Sequence, residues 1–236
     1  MLFLSLYFDL TYSKELQVVE IFGDSFVNVD TTTSEGITRA VSLGLAESGL
    51  TDVIISPIIN DTAYLFNEKH QGRMFTIFRD PIQRSANMYY YFSTAKWDKR
   101  YNPALATITL EQFALSNYME NNYLTRLIVN KPGGSLSEAD VDMAKEIIRR
   151  KCLVGLYDQL EESVERFEKY FGWVDSGGKD ADECKTRVLT QGLRKYDVAP
   201  VVAEGTSEWD LLYQQNRWDM ELYFFVKQLY AFQELE

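Results

Sequence analysis

The spacing of apolar residues changes along the chain from helical to strand-like and back. Ile37, Val41 and Leu45 recur at i, i+4 and i+8, which puts them on one helical face. Thr32 and Glu35 have capping-box spacing, so this helix is predicted to start near Thr33, with Gly49 as its C-terminal cap. The run DVIISP stops at Pro57 and predicts a strand, and a helix from about Asn60 to Lys69 follows. The run MFTIF, from Met74, lies between Gly72 and Pro81 and shows no alternation. That pattern predicts a strand buried on both faces of a parallel sheet.

The later half reads as mostly helical. Thr109 to Asn130 predicts a helix with Phe113, Met119 and Tyr123–Leu127 on its apolar side, and NKPGGSL predicts a turn. Ser137 and Asp140 open the next helix, which runs to about Lys151, where CLVGL repeats the short-strand pattern. From Asp158 to Phe171, Leu160, Val164 and Phe167 oppose Glu161, Glu162, Glu165 and Glu168, an amphipathic helix. SGGKDAD, around Gly177, predicts a loop, and Trp209 to Phe232 a final aromatic-rich helix. Strands alternating with helices predict an α/β fold with a mostly parallel sheet and a helix-rich C-terminal half. The 236 residues fit one domain, with residues 1–27 atypical.

RMFTIFRDPIQRSANMYYYF, from Arg73 to Phe92, carries the candidate chemistry. Asp80 suits an N-cap, Pro81 the first helical position, and Gln83 gives box-like spacing. Arg79 then ends a strand beside a helix N-terminus, where free N–H groups favour an anion and a guanidinium can grip phosphate with two nitrogens. Asn87 lies within the same helix. The same residues also fit a bland reading, in which Arg79 and Asp80 form a self-satisfied pair and Tyr89–Tyr91 pack the core.

FTIFRDPIQRSANMYYYF is similar to the 3′-phosphate motif of the carbohydrate sulfotransferases, especially the heparan-sulfate and uronyl 2-O-sulfotransferase branch. AKEIIRRKCLVGLYDQLEESVERFEKYFGW resembles that family's later helix, Leu-Val-Gly strand and acidic helix. NRWDMELYFFVKQLYAFQ resembles its closing Asn-x-x-Asp-x-x-Leu-Tyr helix. The resemblance implies a three-layer fold like that of P-loop nucleotide-binding proteins. It also implies sulfuryl transfer from 3′-phosphoadenosine-5′-phosphosulfate to a hydroxyl, usually on a glycan. Arg79 falls on the family's phosphate-binding arginine and Arg84 on its second, helix-supporting arginine; Asn87 stands where the family has serine. Golgi residence is common in such a family, and no membrane contact is visible in this chain.

The sequence departs from the family at two places. No Gly-x-x-x-x-Gly-Lys-Ser/Thr loop occurs. Thr11, Ser13 and Lys14 in LSLYFDLTYSKEL are the nearest substitute, beside an unfavourable Asp9, and the resemblance otherwise puts the loop upstream of Met1. The segment Ser56–Ile58, where the branch places its histidine base, holds none. His70 reads as a turn residue, Asp61 and Glu68 remain candidate bases, and the catalytic residue is unassigned. The alternative is a catalytically incomplete relative that binds nucleotide or acts as a scaffold.

A net charge of −11 argues against nucleic-acid backbone and anionic membranes as partners. It favours a neutral or small hydroxyl acceptor over a heavily sulfated glycan. No ligand spacing predicts a metal. Cys152 reads as a buried thiol, with a Cys152–Cys184 bridge left open.

Overall fold

The computed structural model describes residues 14–21, 24–173, 183, 185–189, 197 and 199–233. Thr11, Ser13, Cys184 and the SGGKDAD segment lie outside them. The chain is α/β, with a small sheet of parallel strands among many helices. Its contacts divide into two units: Met1–Arg73 with Leu127–Pro132, and Met74–Arg126 with Gly133–Glu236.

In the first unit, β1 (Val18–Ile21) pairs antiparallel with β2 (Asp24–Val27). Helix α1 (Ser34–Ser42) starts where Thr33 Oγ1 accepts from the Gly36 N–H, one residue beyond the predicted cap. Leu43 and Gly44 break the predicted stripe, because Gly44 takes φ 68° and starts the separate helix α2 (Leu45–Ser48). Ile37 and Leu45 are therefore buried together while Val41 is exposed. Gly49 does close α2, in the left-handed conformation.

Two expectations fail here. DVIISP is irregular rather than a strand: Val53 and Ile55 face solvent and only Ile54 packs against the cluster. Side chains take its carbonyls, Thr51 Oγ1 donating to Val53 O (3.0 Å) and Thr31 Oγ1 to Ile55 O (2.7 Å), where a ladder would need them. The following helix is short, with α3 (Ile59–Thr62) running into one 3₁₀ turn that ends at Leu65. Asn67 then folds the chain back, its Oδ1 accepting from the N–H groups of Lys69 and His70, so His70 is an exposed turn residue.

The second unit is built on β3 (Met74–Phe78) and β4 (Cys152–Leu156), which pair in parallel with Met74 opposite Cys152 and Phe78 opposite Leu156. Every residue of β4 is buried, Cys152 included. β3 is only partly covered, and Ile77 is exposed, so burial on both faces holds for one strand of the pair. The outer edge of β4 is capped by a side chain: Val154 N–H donates to Gln233 Oε1 (3.0 Å), and Gln233 Nε2 donates to Cys152 O (2.9 Å). This amide satisfies backbone groups that would otherwise template another strand.

Helix α4 (Pro81–Thr94) follows β3 directly. The predicted helix over 109–130 is two short ones, α5 (Leu110–Ala114) and α6 (Tyr123–Ile128). They are separated where Asn122 takes φ 46°, a conformation asparagine tolerates. Helix α7 (Glu138–Lys151) carries the predicted Ser137–Asp140 capping box and leads into β4. Helix α8 (Leu160–Phe171) buries Leu160 and Phe167 with its glutamates outward, and Gly172 ends it. The predicted terminal helix is α9 (Ser207–Gln215) and α10 (Arg217–Gln233), broken at Asn216.

The tyrosine triplet is structural. Tyr89 is buried, packs on Phe113 (centroids 5.3 Å apart) and donates to Ile108 O (2.5 Å). Tyr91 donates to Asp98 Oδ2 (3.1 Å) and Tyr90 packs on the same cluster as Tyr89.

Candidate functional site

β3 ends at Phe78, and the next two residues, Arg79 and Asp80, turn the chain into α4. Asp80 caps the helix as its pattern predicts, accepting from the N–H groups of Ile82 (2.9 Å) and Gln83 (3.0 Å), with Pro81 at the first position. Its carboxylate is thus committed to the helix rather than to Arg79. Asp80→Ala is expected to cost about 1 kcal/mol, read as a small fall in the thermal midpoint. Gln83 does not close a capping box. Its Nε2 donates to Val202 O (3.0 Å), and its Oε1 accepts from Val202 N–H (3.3 Å).

Arg79 sits at the carboxyl end of β3 with its side chain 19% exposed. Its guanidinium carbon lies 4.7 Å from the ring centroid of Tyr157, the first residue after β4. The two parallel strands therefore deliver a cation and an aromatic face to the same end of the sheet, where ligands of such folds bind. Arg79 Nη2 is 2.5 Å from Asp197 Oδ1. Asn87, two turns along α4, accepts from Ala199 N–H at 3.2 Å.

Arg84 has a different environment. Its guanidinium packs 4.6 Å from the Tyr123 ring centroid, Nη1 donates to Met88 Sδ (2.9 Å), and Nε and Nη2 are buried with no hydrogen-bond partner. Burial pushes its pKa down, and Arg79 pushes the same way, while the negative charge of Asp219 opposes. Asp219 is fully buried, accepts from Leu124 N–H (2.9 Å) and Thr125 N–H (2.8 Å), and has its pKa raised chiefly by desolvation. Tyr223 is likewise pushed up, by burial first and then by the negative charges of Asp158 and Asp80.

Arg79 and Asn87 thus share one face of the turn and helix, while Arg84 faces Tyr123. Tyr157 and Asp197 also belong to this neighbourhood without having been marked by the sequence, and Gln83, expected only as a capping residue, joins them. Tyr157 carries a local signal, since it follows the CLVGL strand directly; Asp197 lies 118 residues from Arg79 with no local pattern to mark it. The candidate bases Asp61, Glu68 and His70 belong to the first unit. Lys14 is exposed. Among the described residues no group of three His, Cys, Asp or Glu side chains is placed to hold a metal ion, and no helix is long and apolar enough to cross a membrane.

No family model, no curated protein and no solved structure matches this chain.

Proposed function

We propose that the second unit is the 3′-phosphate half of a sulfotransferase donor site on a P-loop-like three-layer fold, which takes 3′-phosphoadenosine-5′-phosphosulfate as its donor. The observation that carries this reading is the parallel, in-register pair β3–β4, which brings Arg79 and Tyr157 together beside the capped N-terminus of α4. A guanidinium held against an aromatic face is pre-oriented for the two-nitrogen grip that phosphate favours. Asn87, on the same helical face, supplies an amide for a further hydrogen bond. Arg84, with its guanidinium against Tyr123, acts by positioning α4 rather than by touching donor.

In the reaction the acceptor hydroxyl oxygen attacks sulfur in line. The sulfur–oxygen bond to the 5′-phosphate breaks, adenosine 3′,5′-bisphosphate leaves, and a base takes the hydroxyl proton. The acidic chain favours a neutral or small hydroxyl acceptor. The rival reading is a relative that binds nucleotide without turnover, and the pairing of Arg79 with a carboxylate in the free chain favours it. Turnover of labelled donor over a panel of hydroxyl acceptors separates the two.

Calorimetric titration of the full chain with adenosine 3′,5′-bisphosphate tests the donor site. Saturable binding is expected, weakened by Arg79→Ala by about 2 kcal/mol or more, roughly thirtyfold. Absence of binding, or binding indifferent to Arg79→Ala, sinks the reading.

A further inference from the structure

The face that a donor phosphate would meet is already taken by the chain itself. Gln83 and Asn87, at i and i+4 on α4, share one side of the helix, and Arg79 approaches the same side from the tip of β3. All three contact a single later segment. Arg79 holds Asp197, Gln83 makes two hydrogen bonds to the Val202 backbone, and Asn87 accepts from Ala199 N–H. Ala199 and Val202 also pack against the apolar cluster that α4 buries. Three polar contacts and an apolar seat therefore hold Asp197 over Arg79.

We propose that Asp197 is a built-in competitor for the oxyanion site on Arg79, and that it sets which anions are admitted. The proposal rests on the donor-site reading for the identity of the natural ligand. The ion pair joins one nitrogen to one oxygen. The two side chains are 19% and 29% exposed, so a ligand can reach the pair without unfolding the chain. A phosphate monoester near neutral pH carries up to two negative charges and three acceptor oxygens. It replaces the carboxylate with a stronger, two-nitrogen grip. A carboxylate or a singly charged sulfate ester brings one charge, as Asp197 already does, and is turned away. Asp197 thereby filters for doubly charged phosphate, the group that distinguishes a 3′-phosphorylated nucleotide from its dephosphorylated counterpart. Displacing it frees the Arg79 guanidinium only when the proper anion takes its place.

The test is calorimetry on the full chain and on Asp197→Asn, which keeps the shape and removes the charge. Asp197→Ala serves as a second variant, and thermal melts verify folding. Adenosine 3′,5′-bisphosphate is expected to bind both variants about tenfold more tightly than the original chain. That is the gain when a competent state populated about one part in ten becomes dominant. The gain is expected to vanish in the Arg79→Ala/Asp197→Asn double variant, and methyl sulfate, a singly charged sulfate ester inert toward the original chain, is expected to compete in Asp197→Asn. Equal affinities with and without Asp197 overturn the competitor and leave the donor site standing, as does weaker binding by both variants. If inorganic phosphate shows the same Asp197-dependent gain but adenosine 3′,5′-bisphosphate binds no better than 5′-AMP, the competitor stands and the donor reading falls. Absence of phosphate binding by every chain overturns both.

Discussion

Asp219→Ala is expected to destabilise the protein by about 3–5 kcal/mol, a fall of roughly 10–15 °C in the thermal midpoint for a chain of this size. The residue is fully buried in the first turn of α10. Its two oxygens accept from the Leu124 and Thr125 N–H groups at the start of α6. In return Asn122 Oδ1 accepts from the N–H groups of Trp218 (2.9 Å) and Asp219 (3.3 Å). Each helix start is thus closed by a side chain from the other. Truncation leaves two buried donors without acceptors, each costing about 1–3 kcal/mol. It also strips Arg84 of the negative charge that most offsets its burial. The Arg84→Met/Asp219→Ala double variant is therefore expected to be less destabilised than the sum of the single changes, because it removes the stranded cation as well.

The same carboxyl predicts a pH signature. Its folded pKa is raised above the ordinary 3.8, so over the interval between the two values the native state holds the proton that the unfolded state has lost. Stability from this group therefore falls as pH rises through the raised pKa and is recovered as pH drops below it. The stability difference between the original chain and Asp219→Asn is expected to shift in favour of the original as pH is lowered from neutrality. Below about pH 4 it levels off, as denaturant melts at several pH values would show. A difference that does not vary with pH would mean that Asp219 does not titrate differently in the fold.

The sequence and the structure agree best where one short stretch contains all the forces that shape it. Strand, cap and first helical turn are compressed into FRDPIQ, and β3, the Asp80 cap and α4 form there. The Ser137–Asp140 box and the CLVGL strand are equally local. In the closing Asn-x-x-Asp-x-x-Leu-Tyr pattern, Asn216, Asp219, Leu222 and Tyr223 are all buried, so its spacing marks an interior face of α10 and the turn before it. Local pattern misleads where a distant partner decides. DVIISP has strand composition, yet its Val53 and Ile55 carbonyls go to threonine hydroxyls, and among the described residues no strand pairs with it. Gln83 has capping-box spacing, yet it turns to the Val202 backbone instead. The Arg79–Asp197 pair belongs to the same class, because an ion pair between residues so far apart in sequence leaves no periodicity to read.

Gly155→Ala is expected to cost about 2–3 kcal/mol and to loosen the Arg79 site as well as the fold. Gly155 lies within β4, opposite Ile77 of β3. A Cβ there would stand 2.8 Å from Phe167 Cζ and 2.9 Å from Ser163 Cβ, both on α8. The phenylalanine ring cannot swing away easily, since it packs on Phe75, with centroids 5.1 Å apart. Ser163 is fixed too: its Oγ accepts from Leu156 N–H (2.9 Å) and donates to Gln159 O (2.7 Å), tying α8 to the end of β4. The methyl group must therefore push the helix off the strand or bend the strand away from the helix. Either movement shifts Leu156 and then Tyr157, whose ring holds Arg79. A lowered thermal midpoint together with weaker binding of adenosine 3′,5′-bisphosphate by a folded Gly155→Ala chain is the expected pair of results. Unchanged affinity in a destabilised but folded variant would show that Tyr157 does not orient Arg79. Unchanged stability would show that α8 does not need the missing side chain to seat on β4.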